Sequence, residues 1–291
     1  MSGLWGLWPV VAAWSVLWWI TPQRMTPDGT TYLRRAVGHA VAAPFRWRVW
    51  PVALRPWVTG EGGQATMPRA LDVALDAARW LSVLWSALVL AHWAGLPAGL
   101  LWLGLPIARV QGSWRWTQDA LGHAAALSCL VAPEWAWVPL AVLAGTTSER
   151  APVFAALIVW SPLPLVGLAV PAVGYLLSER GPAADYERAI ITRPLASARE
   201  CARGGGVAAY LLPWGACLLA LPVLGWQGWA LTAVAYAQCL VAVDRARLYQ
   251  WAAPAWCVAA SLTIGGWEWW PVVVAVHWAL PWRTATEGCE R

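Results

Sequence analysis

A succession of short apolar runs, separated by connections that carry nearly all of the charge, limits what this chain can fold into. Mean hydropathy is +0.51 and 12% of residues are charged, well below the quarter or so that is typical of soluble domains. The longest runs approach the roughly 20 residues that an α-helix needs to cross a bilayer, and the others are shorter. We therefore predict an all-α integral membrane protein with about eleven short transmembrane helices. The runs lie at 4–20, 80–93, 97–108, 120–132, 135–145, 151–161, 163–177, 208–224, 228–243, 252–266 and 269–282.

Two long polar inserts, 22–79 and 178–207, interrupt the apolar pattern. Within 67–80, apolar residues recur at three- and four-residue spacing, which is typical of an amphipathic helix. Such helices in the first long loop are predicted to lie in the membrane interface. No soluble domain fits elsewhere, so residues 1–291 are predicted to form a single polytopic membrane domain.

The charges sort to one side if the connections alternate across a membrane. All 20 basic residues are arginine and lie on that side with 13 of the 15 acidic residues, whereas the opposite connections carry only Glu134 and Glu268. Transporters more often place ionisable groups inside their spans, so this pattern favours a polar platform at the membrane surface. The arginines form no basic tract, so we predict membrane lipids as partners and no nucleic acid.

Two carboxylates are candidate catalytic groups. Asp28 follows the first apolar run, and Asp119 opens a later one with His123 one helical turn beyond. A positioned carboxylate can remove the proton of a hydroxyl group. The alternatives are a Pro-Asp-Gly turn for Asp28 and a helix-terminal carboxylate hydrogen-bonded to His123 for Asp119. A metal ion held between Asp28 and Asp119 is a further alternative, although no tight ligand spacing appears.

Arginines in several connections are candidate ligands for phosphate. A planar guanidinium can bind two phosphate oxygens at once. The alternative is the positive charge that commonly flanks membrane helices. The candidates are Arg46, Arg48, Arg150, Arg245 and Arg247.

Five short motifs follow one another within residues 20–260. They are Asp28–Tyr32 (DGTTY), Pro44–Pro51 (PFRWRVWP), Thr117–Leu121 (TQDAL), Thr147–Arg150 (TSER) and Asp244–Leu248 (DRARL) with Pro254 beyond it. In this order the chain resembles the bacterial members of the GT-C superfamily, which are polytopic membrane glycosyltransferases that use a polyprenyl-phosphate sugar.

The resemblance implies transfer of a sugar from a polyprenyl-phosphate donor to a glycan, lipid or protein acceptor. Asp28 and Asp119 would be catalytic, and Tyr32 and His123 would bind substrate with the arginines. No cofactor is implied. The alternatives are a non-catalytic membrane subunit or lipid-carrier binding protein on the same scaffold, and a transporter.

The resemblance also implies the inner membrane of the bacterial cell envelope, with several membrane crossings and the charged face outside the cytoplasm. The positive-inside rule predicts the opposite orientation. We follow the resemblance, because a first span followed by an Asp-bearing loop matches the layout of the family.

Overall fold

The structure is a computed structural model of the chain. It describes residues 5–25, 27–37, 48–60, 66–115, 118–177, 211–238 and 250–279. In this part of the chain the fold is helical, apart from one pair of two-residue parallel strands and one isolated bridge between Thr59 and Thr66. The prediction of an all-α chain is therefore confirmed.

The α-helices, in chain order, are α1 Trp8–Ile20, α2 Pro27–Ala36, α3 Trp50–Ala53, α4 Arg69–Ala94, α5 Leu96–Gly104, α6 Pro106–Ser113, α7 Asp119–Ser128, α8 Trp137–Thr147, α9 Ala151–Val159, α10 Ala169–Leu177, α11 Trp226–Gln238, α12 Ala253–Ile264 and α13 Trp270–Ala279. The strands are β1 Arg24–Met25 and β2 Trp114–Arg115. Short 3-10 helices lie at Trp5–Leu7, Arg55–Trp57, Glu134–Ala136, Leu163–Leu168, Leu212–Ala220 and Gln250–Ala252.

The first polar insert continues directly into an apolar run through α4. This helix has 26 residues, so the amphipathic stretch 67–80 is not a separate interfacial helix. Its backbone hydrogen bonds continue because no proline or glycine interrupts Arg69–Ala94. Among the described residues, α4 is the one helix that is long and apolar enough to cross a membrane. The count of eleven spans stays a prediction.

Glycine, proline or a left-handed residue lies at the ends of several other helices. The left-handed Gly95 (φ 91°) separates α4 from α5, and Pro106 begins α6. After α9 the backbone turns at Trp160, which is also left-handed (φ 53°), and Pro162 precedes the next 3-10 helix. These positions explain why the apolar runs form short helices.

The chain groups into two compact units. Unit 1 contains Met1–Ile20, Leu84–Val110 and Ala189–Arg291, and unit 2 contains Thr21–Val83 and Gln111–Arg188. The single membrane domain over residues 1–291 stays a prediction.

Unit 1 packs around α12, which contacts α5 and the 3-10 helix Leu212–Ala220. The rings of Trp214 and Trp256 stack with centroids 4.5 Å apart. The indole N–H of Trp214 donates to the Tyr236 hydroxyl and that of Trp256 to Thr232 Oγ1, each at 2.9 Å. These buried donors are satisfied, as a stable apolar core requires.

Unit 2 packs α7, α8 and α9 against one another, and α8 and α9 also contact the 3-10 helix Leu163–Leu168. Glycines allow the close approach. A Cβ atom added at Gly122 in α7 would lie 2.7 Å from Thr147 Oγ1 and 3.4 Å from Ser148 Cβ. Elsewhere in the unit, α2 packs on α3. The start of α7 is thereby held beside the connection that follows α8.

Candidate functional site

Arg48 is the centre of a buried polar cluster in unit 2. Its side chain is 1% exposed. Its Nη1 donates to Asp119 Oδ1 at 2.9 Å and to the Tyr32 hydroxyl, and its Nε donates to Glu149 Oε2 at 3.3 Å. A buried guanidinium is tolerated when its charge is paired and its N–H groups are hydrogen-bonded. The two carboxylates and the phenol meet that condition.

The cluster draws its members from distant parts of the chain. Asp119 begins α7 and lies 71 positions after Arg48, whereas Glu149 lies 101 positions after it, between α8 and α9. Tyr32 comes from α2, and its ring contacts Trp50 with centroids 5.1 Å apart. Arg35, also in α2, donates from Nε to the Arg48 carbonyl oxygen at 3.1 Å. Helix α2 therefore holds the Arg48 segment in place.

Glu149 is shared between two guanidiniums. It accepts from Arg48, and its Oε1 lies 3.4 Å from Arg150 Nε. Burial alone would raise the pKa of Glu149, but Arg48 and Arg150 outweigh burial and hold the pKa below its ordinary value. The carboxylate is therefore ionised at neutral pH.

His123 lies one turn beyond Asp119 and is fully buried. Its Nδ1 is 3.1 Å from Gln111 Nε2. Because an amide nitrogen only donates, Nδ1 is the acceptor and the ring is oriented by Gln111. This pair adds a second buried polar contact on the α7 side of the cluster.

The structure brings together four of the predicted site residues: Tyr32, Arg48, Asp119 and Arg150. Arg46, Arg245 and Arg247 lie outside the described residues. Their convergence on the same face stays a prediction.

Asp28 lies in the first turn of α2 and not in a Pro-Asp-Gly turn between elements. Its side chain is outside the described part of the structure. The four-residue spacing from Asp28 to Tyr32 places both positions on one face of the helix.

The sequence predicts that Arg48 binds phosphate. In the structure its guanidinium donates to Asp119, Glu149 and Tyr32, and its role towards phosphate stays a prediction. Glu149 belongs to the motif Thr147–Arg150, but the sequence does not predict it as a site residue. The available signal was that it is the one carboxylate in the short connection 146–150 between two apolar runs.

A second buried arginine has a different setting. Arg79 in α4 donates to Asp76 Oδ1 at 2.7 Å, to Gln23 Oε1 at 2.5 Å and to the Gly112 carbonyl oxygen at 3.0 Å. Gln23 and Gly112 lie just before the paired strands β1 and β2. Arg79 therefore fastens the first insert within unit 2.

The Arg48 cluster could act through its carboxylates, its phenol and its guanidiniums. Among the described residues, no three His, Cys, Asp or Glu side chains come close enough together to hold a metal ion. The arrangement can position an ionised carboxylate and offer guanidinium donors to an anion.

Comparison of the chain with known protein families, with curated proteins and with solved structures gives no match. The resemblance to the GT-C superfamily rests on the five motifs and stays a prediction.

Proposed function

We propose that the chain is an integral membrane glycosyltransferase, which moves a sugar from a polyprenyl-phosphate donor to a glycan, lipid or protein acceptor. One observation carries the proposal: members of four of the five motifs meet in one buried cluster. Tyr32, Arg48, Asp119 and Glu149 each come from a different motif and are joined by hydrogen bonds of Arg48. Motif residues that only flanked membrane helices would have no reason to converge.

In the proposed reaction, the acceptor hydroxyl oxygen forms a bond to the anomeric carbon of the sugar as the bond from that carbon to the phosphate oxygen breaks. Asp119 accepts the hydroxyl proton, and polyprenyl phosphate leaves with the electron pair. Arg48 is a positioning residue, because its Nη1 holds Asp119 Oδ1 at 2.9 Å. Asp28, on the helix that carries Tyr32, is the second candidate base.

The proposal includes several membrane crossings in a bacterial inner membrane, about eleven helices in all, with the charged face outside the cytoplasm. The apolar surface supports it. Trp19 is 88% exposed, Trp135 79% and Leu176 77%, which is unfavourable in water and favourable against lipid.

The test uses chain purified in detergent, with undecaprenyl-phosphate glucose and undecaprenyl-phosphate mannose as donors and release of undecaprenyl phosphate as the readout. We expect Asp119→Asn to lower kcat by about 100-fold or more, because the general base is lost. Asp28→Asn is measured in parallel. Glu134→Gln removes an exposed carboxylate in the same unit and is the matched control. Full activity of both aspartate variants would refute the assignment.

A lipid-carrier binding protein without catalysis is the second candidate function. It is favoured by the pairing of both buried carboxylates with guanidiniums, since paired carboxylates can serve structure without acting as a base. In that case wild-type chain binds the lipid phosphate and transfers no sugar.

A further inference from the structure

Three hydrogen-bond donors around the Arg48 cluster have no partner among the residues that the structure describes. They are Ser148 Oγ, Gln118 Nε2 and Arg150 Nη1. Ser148 is 0% exposed and Gln118 is 3% exposed. Leaving a buried donor unsatisfied is unfavourable, and more so for a charged one. A ligand that supplies acceptors would remove that cost.

The three donors adjoin the same ion pairs. Gln118 directly precedes Asp119, and Ser148 and Arg150 flank Glu149; Arg48 bonds both carboxylates. Helix packing brings the two segments together, because a Cβ atom at Gly122 would lie 3.4 Å from Ser148 Cβ. Gln118 is the N-cap of α7, and its carbonyl oxygen accepts the Gly122 backbone N–H at 3.3 Å, so it lies one turn before the glycine that Ser148 approaches.

The chemistry of these groups selects an anion. A guanidinium N–H and an amide N–H donate only, and a hydroxyl can donate to an oxygen acceptor. The guanidiniums of Arg48 and Arg150 pair with the carboxylates of Asp119 and Glu149 and balance their charge. Nη1 of Arg150 has no partner among the described residues and can donate a charge-assisted bond to an anion.

We propose that Ser148, Gln118 and Arg150 form the subsite for the phosphate group of the lipid donor. Each donor would bind one phosphate oxygen, with the charge-assisted bond from Arg150 the strongest. The inference rests on the proposed function for the identity of the lipid. The group that is recognised is a phosphate. A lipid phosphate carries it as an ester, and inorganic phosphate provides it as a free ion.

The experiment measures binding to the full chain in detergent by titration calorimetry. Farnesyl phosphate is the probe, with farnesol and inorganic phosphate as separate arms. We expect Ser148→Ala and Gln118→Ala each to weaken farnesyl phosphate binding about 10-fold, which is the usual effect of losing a hydrogen bond to a charged group. Thr146→Ala is the matched control, because the Thr146 hydroxyl already donates to the Leu143 carbonyl oxygen at 2.6 Å. Its affinity should equal that of wild type.

Folding is monitored by the Tm of each variant without ligand. Ser148→Ala and Gln118→Ala remove donors that bond to no described residue, so the Tm should not fall. Wild-type affinity in both variants, equal binding of farnesol, equal binding of inorganic phosphate, or no binding by wild type would each overturn the subsite. Binding that depends on Ser148 and Gln118 without sugar transfer would uphold the subsite and reject the transferase.

Discussion

Arg48 shows what residue type alone cannot predict. As an arginine between apolar runs it is a candidate phosphate ligand, and the structure adds that it lies at 1% exposure and donates to Asp119, Glu149 and Tyr32. Removing one partner of a buried ion pair leaves an uncompensated charge, at a typical cost of about 3–5 kcal/mol. The ion pairs of Arg48 join segments that lie far apart in the sequence. No local sequence pattern relates these segments.

The acid stability of the folded chain should depend on Glu149. In the folded chain, burial alone would raise the pKa of the Glu149 carboxyl. Arg48 and Arg150 outweigh burial, so the pKa lies below its ordinary value of 4.5. A group with a depressed folded pKa stabilises the fold above its unfolded pKa, and this contribution is lost as the pH falls through the folded pKa. The Tm of wild type should exceed that of Glu149→Gln at pH 7, and the difference should shrink below pH 4.5.

Thermal unfolding in detergent from pH 7 to pH 3 measures this difference. Glu134→Gln, which changes an exposed carboxylate, should follow wild type throughout. A Tm difference between wild type and Glu149→Gln that is the same at every pH would show that the charge of Glu149 adds nothing to the stability of the fold.

At the scale of elements, the apolar runs located the helices, because each run contains helical residues. The amphipathic stretch 67–80 and the apolar run that follows it are not separate helices, because α4 continues from one into the other. Hydropathy changes there, but Arg69–Ala94 has no residue that breaks a helix. Close packing between helices was also not predictable, because it depends on which glycine faces which backbone.

The contact of α7 with the end of α8 can be tested at Gly122. In Gly122→Ala the new Cβ would lie 2.7 Å from Thr147 Oγ1, and that hydroxyl is held by its bond to the Ala144 carbonyl oxygen. Overpacking of this kind typically costs about 1–3 kcal/mol. We expect a lower Tm, and partial recovery in Gly122→Ala/Thr147→Ala because the obstructing oxygen is gone.

Each Tm is measured in the same detergent with Thr147→Ala alone to complete the double-mutant cycle. Gly225→Ala is the matched control, since nothing lies within 4 Å of its added Cβ. Strictly additive effects at 122 and 147 would contradict direct contact between the two positions.

For the whole molecule, sequence reasoning predicted a helical chain and several members of one cluster, but it placed the arginines of the first polar insert at the membrane surface. Arg48 and Arg79 are buried, at 1% and 0% exposure. A hydropathy profile treats each arginine as polar and cannot show that a distant carboxylate pairs with it. Tertiary ion pairs are therefore the part of the site that the sequence could not predict.

Helix length sets the next limit on the membrane proposal. Helix α1 has 13 residues and is about 20 Å long at 1.5 Å per residue, whereas the hydrocarbon core is about 30 Å thick. The exposed Trp8 and Trp19, at the two ends of α1, would then lie near the lipid headgroups. A chain of this kind should resist extraction from membranes with alkaline carbonate.

The orientation of unit 2 in the membrane can be tested with single cysteines in a chain whose native cysteines are replaced by serine. Arg55 and Glu134 are both exposed, and the alternation of connections predicts that they lie on opposite sides. If the charged face lies outside the cytoplasm, an impermeant maleimide should label Arg55→Cys in intact cells and Glu134→Cys only after permeabilisation. The reverse pattern would follow the positive-inside rule and contradict a donor site outside the cytoplasm. Equal labelling of both in intact cells would contradict the alternation itself, because one face of a spanning protein is closed to the reagent.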